Sequence, residues 1–286
     1  MTQDVLGQIR AALPRLSAAE ARVAGRILDD PRGSVELTIA QLADASGASQ
    51  ATVNRLCHSI GYSGYRPFRL ELAAATSFEE ATRARFDLGE SDIDPSDGAR
   101  AVATKIAYQE TSAIEHTARE LDLGALDAVA AAVRAAGRID VFGVGASALT
   151  AQDLQQKLAR IGLPSFTATD PHLALSSAAL RSAGDVAIAI SHTGETPDTI
   201  RPLDAARRAH ATTVAVTNFP GSTLAGAADH VLTTHARESP FRSGAMSSRI
   251  AQLTVVDILF IRVAQLDPAA TAAALSRTFD AVRGRD

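Results

Sequence analysis

Two short stretches carry side chains suited to gripping an anion: GVGASA, Gly143 to Ala148, and SHTGET, Ser191 to Thr196. Each follows a short apolar run that reads as a buried strand and precedes a helix. Backbone N–H groups and the positive end of the helix dipole converge in such a loop, which suits a phosphate. The hydroxyls of Ser147, Ser191, Thr193 and Thr196 add donors without burying a lysine. Gly194 permits close backbone approach, and Pro197 fits the first turn of the next helix. Simple helix capping accounts for Thr196 before Pro197. It does not account for three hydroxyls and a glycine together, or for a second such loop. GVGASA also satisfies G-x-G-x-x-A, the dinucleotide fingerprint, with Asp170 where a ribose-binding acid would stand. The hydroxyl cluster is surplus to such a site, and nothing later suggests a hydride-transfer centre.

A second constellation lies in "TIAQLADASGASQATVNRLCHSIGYSGYRPFRLEL", Thr38 to Leu72. Thr38 can cap a helix with Ile39, Leu42 and Ala43 on one face, Ser46-Gly47-Ala48 makes a tight turn, and Ser49 caps a second helix. Val53, Leu56, Cys57 and Ile60 face inward. Gln50, Ala51, Thr52, Asn54 and Arg55 are left near the exposed N-terminal half. Two helices joined by a glycine turn form a helix-turn-helix, whose second helix presents its N-terminal residues to base edges of double-stranded DNA. Gln50, Asn54 and Arg55 have the chemistry to read bases, and Arg66 and Arg69 to reach phosphates. The simpler alternative is a helical docking module with a solvated polar face. Cys57 reads as a small core residue.

The elements needed to position these groups fall into three zones. Residues 1–77 read as short helices. Residues 78–98, "FEEATRARFDLGESDIDPSDG", are acidic and weakly periodic, with Gly89, Pro95 and Gly98 as breakers, so 78–110 is expected to be a linker and connecting helix. Residues 111–286 alternate strands (RIDVFGVG, PSFTATD, DVAIAIS, TTVAVTN, ADHVLTT) with helices of ten or more residues. That alternation implies a parallel sheet covered on both faces. AMSSRIAQLTVVDILFIRVAQL is expected to close the domain as a long, mostly buried helix.

The 286-residue chain is 46% hydrophobic and 21% charged, with no Trp and a net charge of −4. No apolar run approaches the roughly 20 residues of a membrane span. The N-terminus lacks a secretory pattern, so cytoplasm is the expected compartment. The lone Cys57 excludes a disulfide framework, and the seven His show no metal-ligand spacing. Residues 1–77 hold eight Arg against seven acids, a net of +1, and Ser46 to Leu70 contains three Arg, His58 and no acid. The charge distribution is compatible with DNA contact.

In DVFGVGAS, DVAIAISHTGET and ESPFRSGAMSSRIAQLTVVD, the region from Leu123 to Val263 resembles the sugar isomerase (SIS) domain carried by RpiR-type transcriptional regulators. Residues from Leu42 to Leu72, including GYSGYRPF, resemble the helix-turn-helix of the same family. The resemblance implies an N-terminal all-α helix-turn-helix domain and a C-terminal flavodoxin-like α/β domain that binds a phosphorylated sugar, commonly as a homodimer. It implies phosphate contacts from Ser191, Thr193, Thr196 and the backbone around His192 and Gly194. Ser147 would contact phosphate or sugar, and Glu238 and Arg242 would lie near the sugar. Thr193 stands where Ser is commoner, which preserves the hydroxyl. The expected DNA-contact set, from position and chemistry on these helices, is Ser49, Gln50, Thr52, Asn54, Arg55, Arg66 and Arg69. No cofactor or metal is expected, only a sugar-phosphate effector. The competing reading is a sugar-phosphate isomerase or lyase, for which Glu195, Glu238, His172, His192 and His235 are candidate proton-transfer groups. Such an enzyme has no use for a DNA-reading module. Action through protein contacts alone leaves the two-loop cradle unexplained.

Overall fold

Capping side chains set where the N-terminal helices begin. The computed structural model describes residues 5–86, 88, 92–238 and 245–284, and the chain divides into two units, 1–108 and 109–286. In the first unit, α1 (Val5–Ala12) leads through a 3-10 turn to α2 (Ala18–Asp29), opened by a capping box between Ser17 and Glu20. Asp30 caps α3 (Pro31–Glu36), and a second box, Thr38 with Gln41, opens α4 (Ile39–Ala45). Ser49 caps α5 (Gln50–Ser59), and α6 (Tyr65–Arg85) follows. These reciprocal bonds satisfy N–H groups that a helix start otherwise leaves unpaired. Val5, Ile9, Val23, Ile27, Leu42, Val53, Leu56, Phe68 and Leu72 form one shared core.

Helix α6 runs to Arg85, eight residues into the stretch read as linker. Its only breaker is Pro67, which sits in the tolerant first turn, and no glycine follows before Gly89. Helix α7 (Ala99–Glu120) then extends ten residues beyond the expected boundary at 110, and the chain passes from the first unit to the second inside it. The turn before α7 is tied down by Lys105, 7% exposed, whose Nζ donates to Asp97 Oδ2 at 2.7 Å and to the Asp92 carbonyl at 2.7 Å.

The second unit continues with α8 (Leu123–Ala135), β1 (Ile139–Phe142), α9 (Ala146–Arg160), β2 (Ser165–Thr167) and α10 (Pro171–Ala179). Next come β3 (Val186–Ile190), α11 (Pro197–Arg208), β4 (Thr212–Thr217), α12 (Thr223–Gly226) and β5 (His230–Thr233). Helices α13 (Met246–Gln265) and α14 (Pro268–Arg283) end the described chain. The long α13 is therefore not the closing helix, because Asp267 caps a further one. All five strands pair in parallel, in the order β2-β1-β3-β4-β5.

Period-two alternation splits the strands between two cores. Ile139, Val141, Val186, Ile188, Ile190, Val214 and Val216 face one core, which includes residues of α8, α9 and α13. Ala187, Ala189 and Ala215 face the other, together with Ala174 and Ala178 of α10 and Ala205 and Ala206 of α11. Small residues on both sides of that second interface let the helices seat close to the sheet.

Beneath the strand ends, Asp140 on β1 is fully buried. Its Oδ1 accepts from Arg138 Nε at 2.9 Å, its Oδ2 accepts from Ser177 Oγ at 2.6 Å, and Arg181 Nε lies 3.3 Å away. Arg181 is itself 8% exposed at its side chain. Asp140→Ala would leave that guanidinium buried beside a lost partner. Equilibrium urea unfolding is expected to show a loss of about 3–5 kcal/mol, the range for breaking one side of a buried pair.

Candidate functional site

Strands β1 and β3 are adjacent, with Phe142 opposite Ala189. The loops that follow them therefore leave neighbouring strands about 4.8 Å apart. The chain continues from β1 to β2 on one side, while β3 lies on the other. This is the switch point at which open α/β sheets bind ligands.

In the first loop both glycines answer local geometry. A Cβ on Gly143 would stand 2.6 Å from the Ser147 carbonyl oxygen, so the first turn of α9 rests directly on the strand end. Gly145, at the helix start, has φ +59. Ser147 Oγ accepts from Gln252 Nε2 at 3.1 Å, and Gln252 Oε1 accepts from Thr150 Oγ1 at 3.4 Å. Gln252 is 1% exposed and Thr150 fully buried. A hydroxyl that accepts this bond keeps its own proton to donate.

The second loop is held by its own hydroxyls. Buried Ser191 Oγ accepts the Gly194 N–H at 3.2 Å and lies 3.3 Å from Thr196 Oγ1. Thr193 Oγ1 accepts the Glu195 N–H at 3.2 Å. Thr196 is the N-cap residue of α11 but makes no side-chain capping bond, so simple capping fails for the residue it suited best. His192 is anchored through its carbonyl, which accepts from the Asn218 N–H and from Thr217 Oγ1, each at 3.1 Å, and its ring meets Phe219 edge-on. Gly194 has φ +67, and a Cβ there would lie 2.1 Å from Ser222 Oγ and 3.0 Å from Thr217 Oγ1. The protein's own chain thus requires glycine at this position.

Both carboxylates considered for proton transfer are spent on helix starts. Glu195 Oε1 accepts the Thr223 N–H at 2.9 Å and Oε2 accepts Thr223 Oγ1 at 2.6 Å; the side-chain bond is the larger cause holding its carboxyl below the ordinary range. Glu238 Oε1 accepts the Ser248 N–H at 2.8 Å in the first turn of α13, whose N-cap residue Ala245 supplies no side-chain cap. Arg242 lies outside the described residues. Asp170, the acid of the dinucleotide reading, caps α10 through the Leu173 N–H at 2.8 Å. His172 is exposed on α10, and the His235 N–H donates to Thr117 Oγ1 at 2.9 Å. Among the described residues no cluster of three or more His, Cys, Asp or Glu could hold a metal, and no helix is long and apolar enough to cross a membrane.

In the first unit, Gly47 turns the chain between α4 and α5 at φ +57, and Arg22 Nη2 braces it by donating to the Gly47 carbonyl at 3.1 Å. Val53, Leu56 and Cys57 are buried, and burial pushes the Cys57 thiol up to about 12. Ser49, Gln50, Ala51, Arg55, His58 and Ser59 are exposed. Two residues placed on that face by their sequence position are used differently. Thr52 is buried, 4% exposed, because at the third helical position its hydroxyl turns back to Ser49 Oγ, 3.0 Å away, and accepts from Arg55 Nη2 at 2.9 Å. Half-buried Asn54 accepts the Tyr65 N–H at 3.3 Å through Oδ1, joining α5 to the start of α6. Arg66 and Arg69 are exposed on α6, with Arg69 Nη1 3.5 Å from the Leu37 carbonyl.

Sequence reasoning missed His58, which shares the stripe of Ala51 and Arg55 at i, i+4, i+7, and also Gln252, Asn218 and Ser222. The helical spacing pointed to His58. A lone amide within the apolar run of α13 pointed to Gln252.

A helix-turn-helix domain of the rpiR family matches residues 3–79 and a SIS domain matches residues 132–262. An uncharacterized HTH-type transcriptional regulator of Caldanaerobacter subterraneus is 40% identical over 262 residues, covering 92% of this chain and 91% of the relative. A counterpart in Haemophilus influenzae is 33% identical, covering 92% and 90%. The solved structure of Vibrio vulnificus NanR complexed with ManNAc-6P is similar over 98% of both chains, with 28% identity and a TM-score of 0.62.

The Glu195 carboxyl titrates below its ordinary 4.5 in the folded protein, so its stabilisation is present above that value and is lost as pH falls through the lowered one. Glu195→Gln is expected to lower the urea midpoint at pH 7. The gap from the parent protein should be narrower in acid below 4.5 than at pH 7. Equal gaps at both pH values would show that ionised Glu195 does not stabilise this loop.

Proposed function

The chain belongs to the rpiR family of helix-turn-helix transcriptional regulators that carry a SIS domain, and from that premise we propose that a phosphorylated sugar, gripped between the β1 and β3 loops, controls its reading of an operator. The observation that carries this reading is the pair of loops side by side at the switch point. They bring Ser147, held by a bond from buried Gln252, beside the hydroxyl-rich turn Ser191–Thr196 at the start of α11. A phosphate would meet hydroxyls, backbone N–H groups and the positive end of a twelve-residue helix. The ManNAc-6P of the Vibrio NanR complex makes a hexosamine phosphate the first effector to test.

For DNA, the residues that best fit the role are Ser49, Gln50 and Arg55, with His58 on the same face and Arg66 and Arg69 directed at phosphates. Thr52 and Asn54 serve as positioning residues, one orienting Arg55 and the other fixing α5 against α6. Two such modules in a homodimer would read a pseudo-palindrome, and work on an operator requires a cytoplasmic protein. We read the chain as a switch rather than an isomerase or lyase. Relatives are named transcriptional regulators, and Glu195 and Glu238 are bonded to helix starts.

The test is fluorescence anisotropy of labelled DNA from this gene's upstream region, with and without ManNAc-6P and related hexose and hexosamine phosphates. Saturable binding that one phosphate shifts is the expected result; specific binding that none of them shifts would overturn the effector reading. Arg55→Ala should weaken specific binding roughly 5- to 150-fold, the worth of one bidentate base contact, with effector affinity unchanged. Equal loss of both would defeat the division of labour between the two units. Ser191→Ala with Thr193→Ala should abolish the effector response while the free protein still binds DNA.

A further inference from the structure

Three hydrogen-bonded steps lead from the phosphate-gripping loop to the helix in which the chain crosses between its two units. The His192 carbonyl, flanked by Ser191 and Thr193, accepts the Asn218 N–H at 3.1 Å. Asn218 Oδ1 accepts the Ala236 N–H at 2.7 Å and Thr234 Oγ1 at 3.3 Å. The neighbouring His235 N–H donates to Thr117 Oγ1 on α7 at 2.9 Å, and that hydroxyl lies 3.5 Å from the His235 carbonyl. Thr117 and Thr234 are fully buried. The Thr234 N–H also pairs with the Thr217 carbonyl at 2.9 Å, so the segment after β5 is fixed to the end of β4 on one side and to α7 on the other. These bonds are directional and partly screened from water, with Thr117 and Thr234 buried at two of their ends, so a displacement at one end is passed on rather than absorbed.

We propose that Asn218 and Thr117 are positioning residues that couple occupancy of the Ser191–Thr196 loop to helix α7. The inference rests on phosphate binding at that loop. A phosphate drawing the N–H groups of His192 to Gly194 toward itself shifts the His192 carbonyl, and with it Asn218, the 234–236 segment and Thr117. The segment bears on α13 as well, through Glu238 and the Ser248 N–H. Helix α7 is the outlet of consequence because it is continuous across the boundary between Tyr108 and Gln109.

Thr117→Val keeps the side-chain shape and removes the hydroxyl, and Thr117→Ser restores it. In the full chain, binding of inorganic phosphate is measured by calorimetry, and hydrogen–deuterium exchange across α7 is followed with and without the same anion. In the parent protein phosphate should slow exchange in residues 114–120 by about fivefold or more, the low end of typical coupling. Thr117→Val should bind phosphate within about twofold of the parent yet show less than about twofold slowing at α7, and Thr117→Ser should recover the parent response. Full slowing in Thr117→Val, or phosphate binding by the parent without any change at α7, would overturn the proposal. If Thr117→Val does not fold, Asn218→Ala, which removes the side-chain amide and its Oδ1 acceptor but keeps the backbone N–H on the His192 carbonyl, carries the same expectations. A parent protein that binds neither phosphate nor ManNAc-6P overturns the coupling at the calorimetric step, while the effector reading stands or falls separately on the anisotropy panel.

Discussion

Strands β1 and β3 pair in parallel with Phe142 opposite Ala189, and the remaining features of the C-terminal unit depend on that register. It places two strand-to-helix loops side by side. It also sorts the β3 run VAIAI so that Val186, Ile188 and Ile190 meet one helical layer and Ala187 and Ala189 the other. A slip of one residue would exchange the two faces and drive β-branched side chains into the alanine-lined interface under α10 and α11. Asp140, in the register between Ile139 and Val141, anchors this arrangement from below through Ser177, Arg138 and Arg181.

In the N-terminal unit the corresponding constraint is the turn from α4 into α5. Gly47 takes a conformation that other residues adopt only under strain, and Arg22 from α2 braces its carbonyl, so the second helix leaves the turn in a fixed direction. From Ser49 onward, side chains on α5 hold one another in place. Thr52 is folded under Arg55 while Asn54 reaches back to the first residue of α6. A polar residue near the start of such a helix is therefore as apt to build the reading surface as to belong to it.

Much of this was legible in the sequence, because local rules wrote it. Thr38 and Ser49 start helices as cap residues should, the strands of the second unit follow from their apolar runs, and the two hydroxyl-bearing loops fall at strand ends. Contacts distant along the chain were not legible. Glu195 looks like a loop acid until Thr223 is found beside it, 28 residues away, and Glu238 is a helix cap only because α13 starts eight residues later with no cap of its own. Gln252 meets Ser147 across 105 residues. Helix α14 escaped notice because its face is built largely of alanine, whose hydrophobic periodicity is faint; only Ala274 is buried on it.

The chemistry of the β3 loop suits a sensor better than a trap. Residues 191–196 contain no Lys or Arg, and a buried ammonium without its anion would cost several kcal/mol on the usual scale for desolvated ions. Hydroxyls avoid that penalty because they can pair with the loop itself, as Ser191 does with the Gly194 N–H and Thr193 with the Glu195 N–H. On the proposed function, a phosphate must compete for these same donors. Its net binding energy is then the difference between two sets of hydrogen bonds rather than the gain of one. On that reading the self-paired loop and the phosphate-bound loop each have their donors satisfied, and an effector that binds one better than the other shifts the balance by just that difference. A lysine-lined pocket would bind the anion more tightly but would have no comparably stable alternative to switch from.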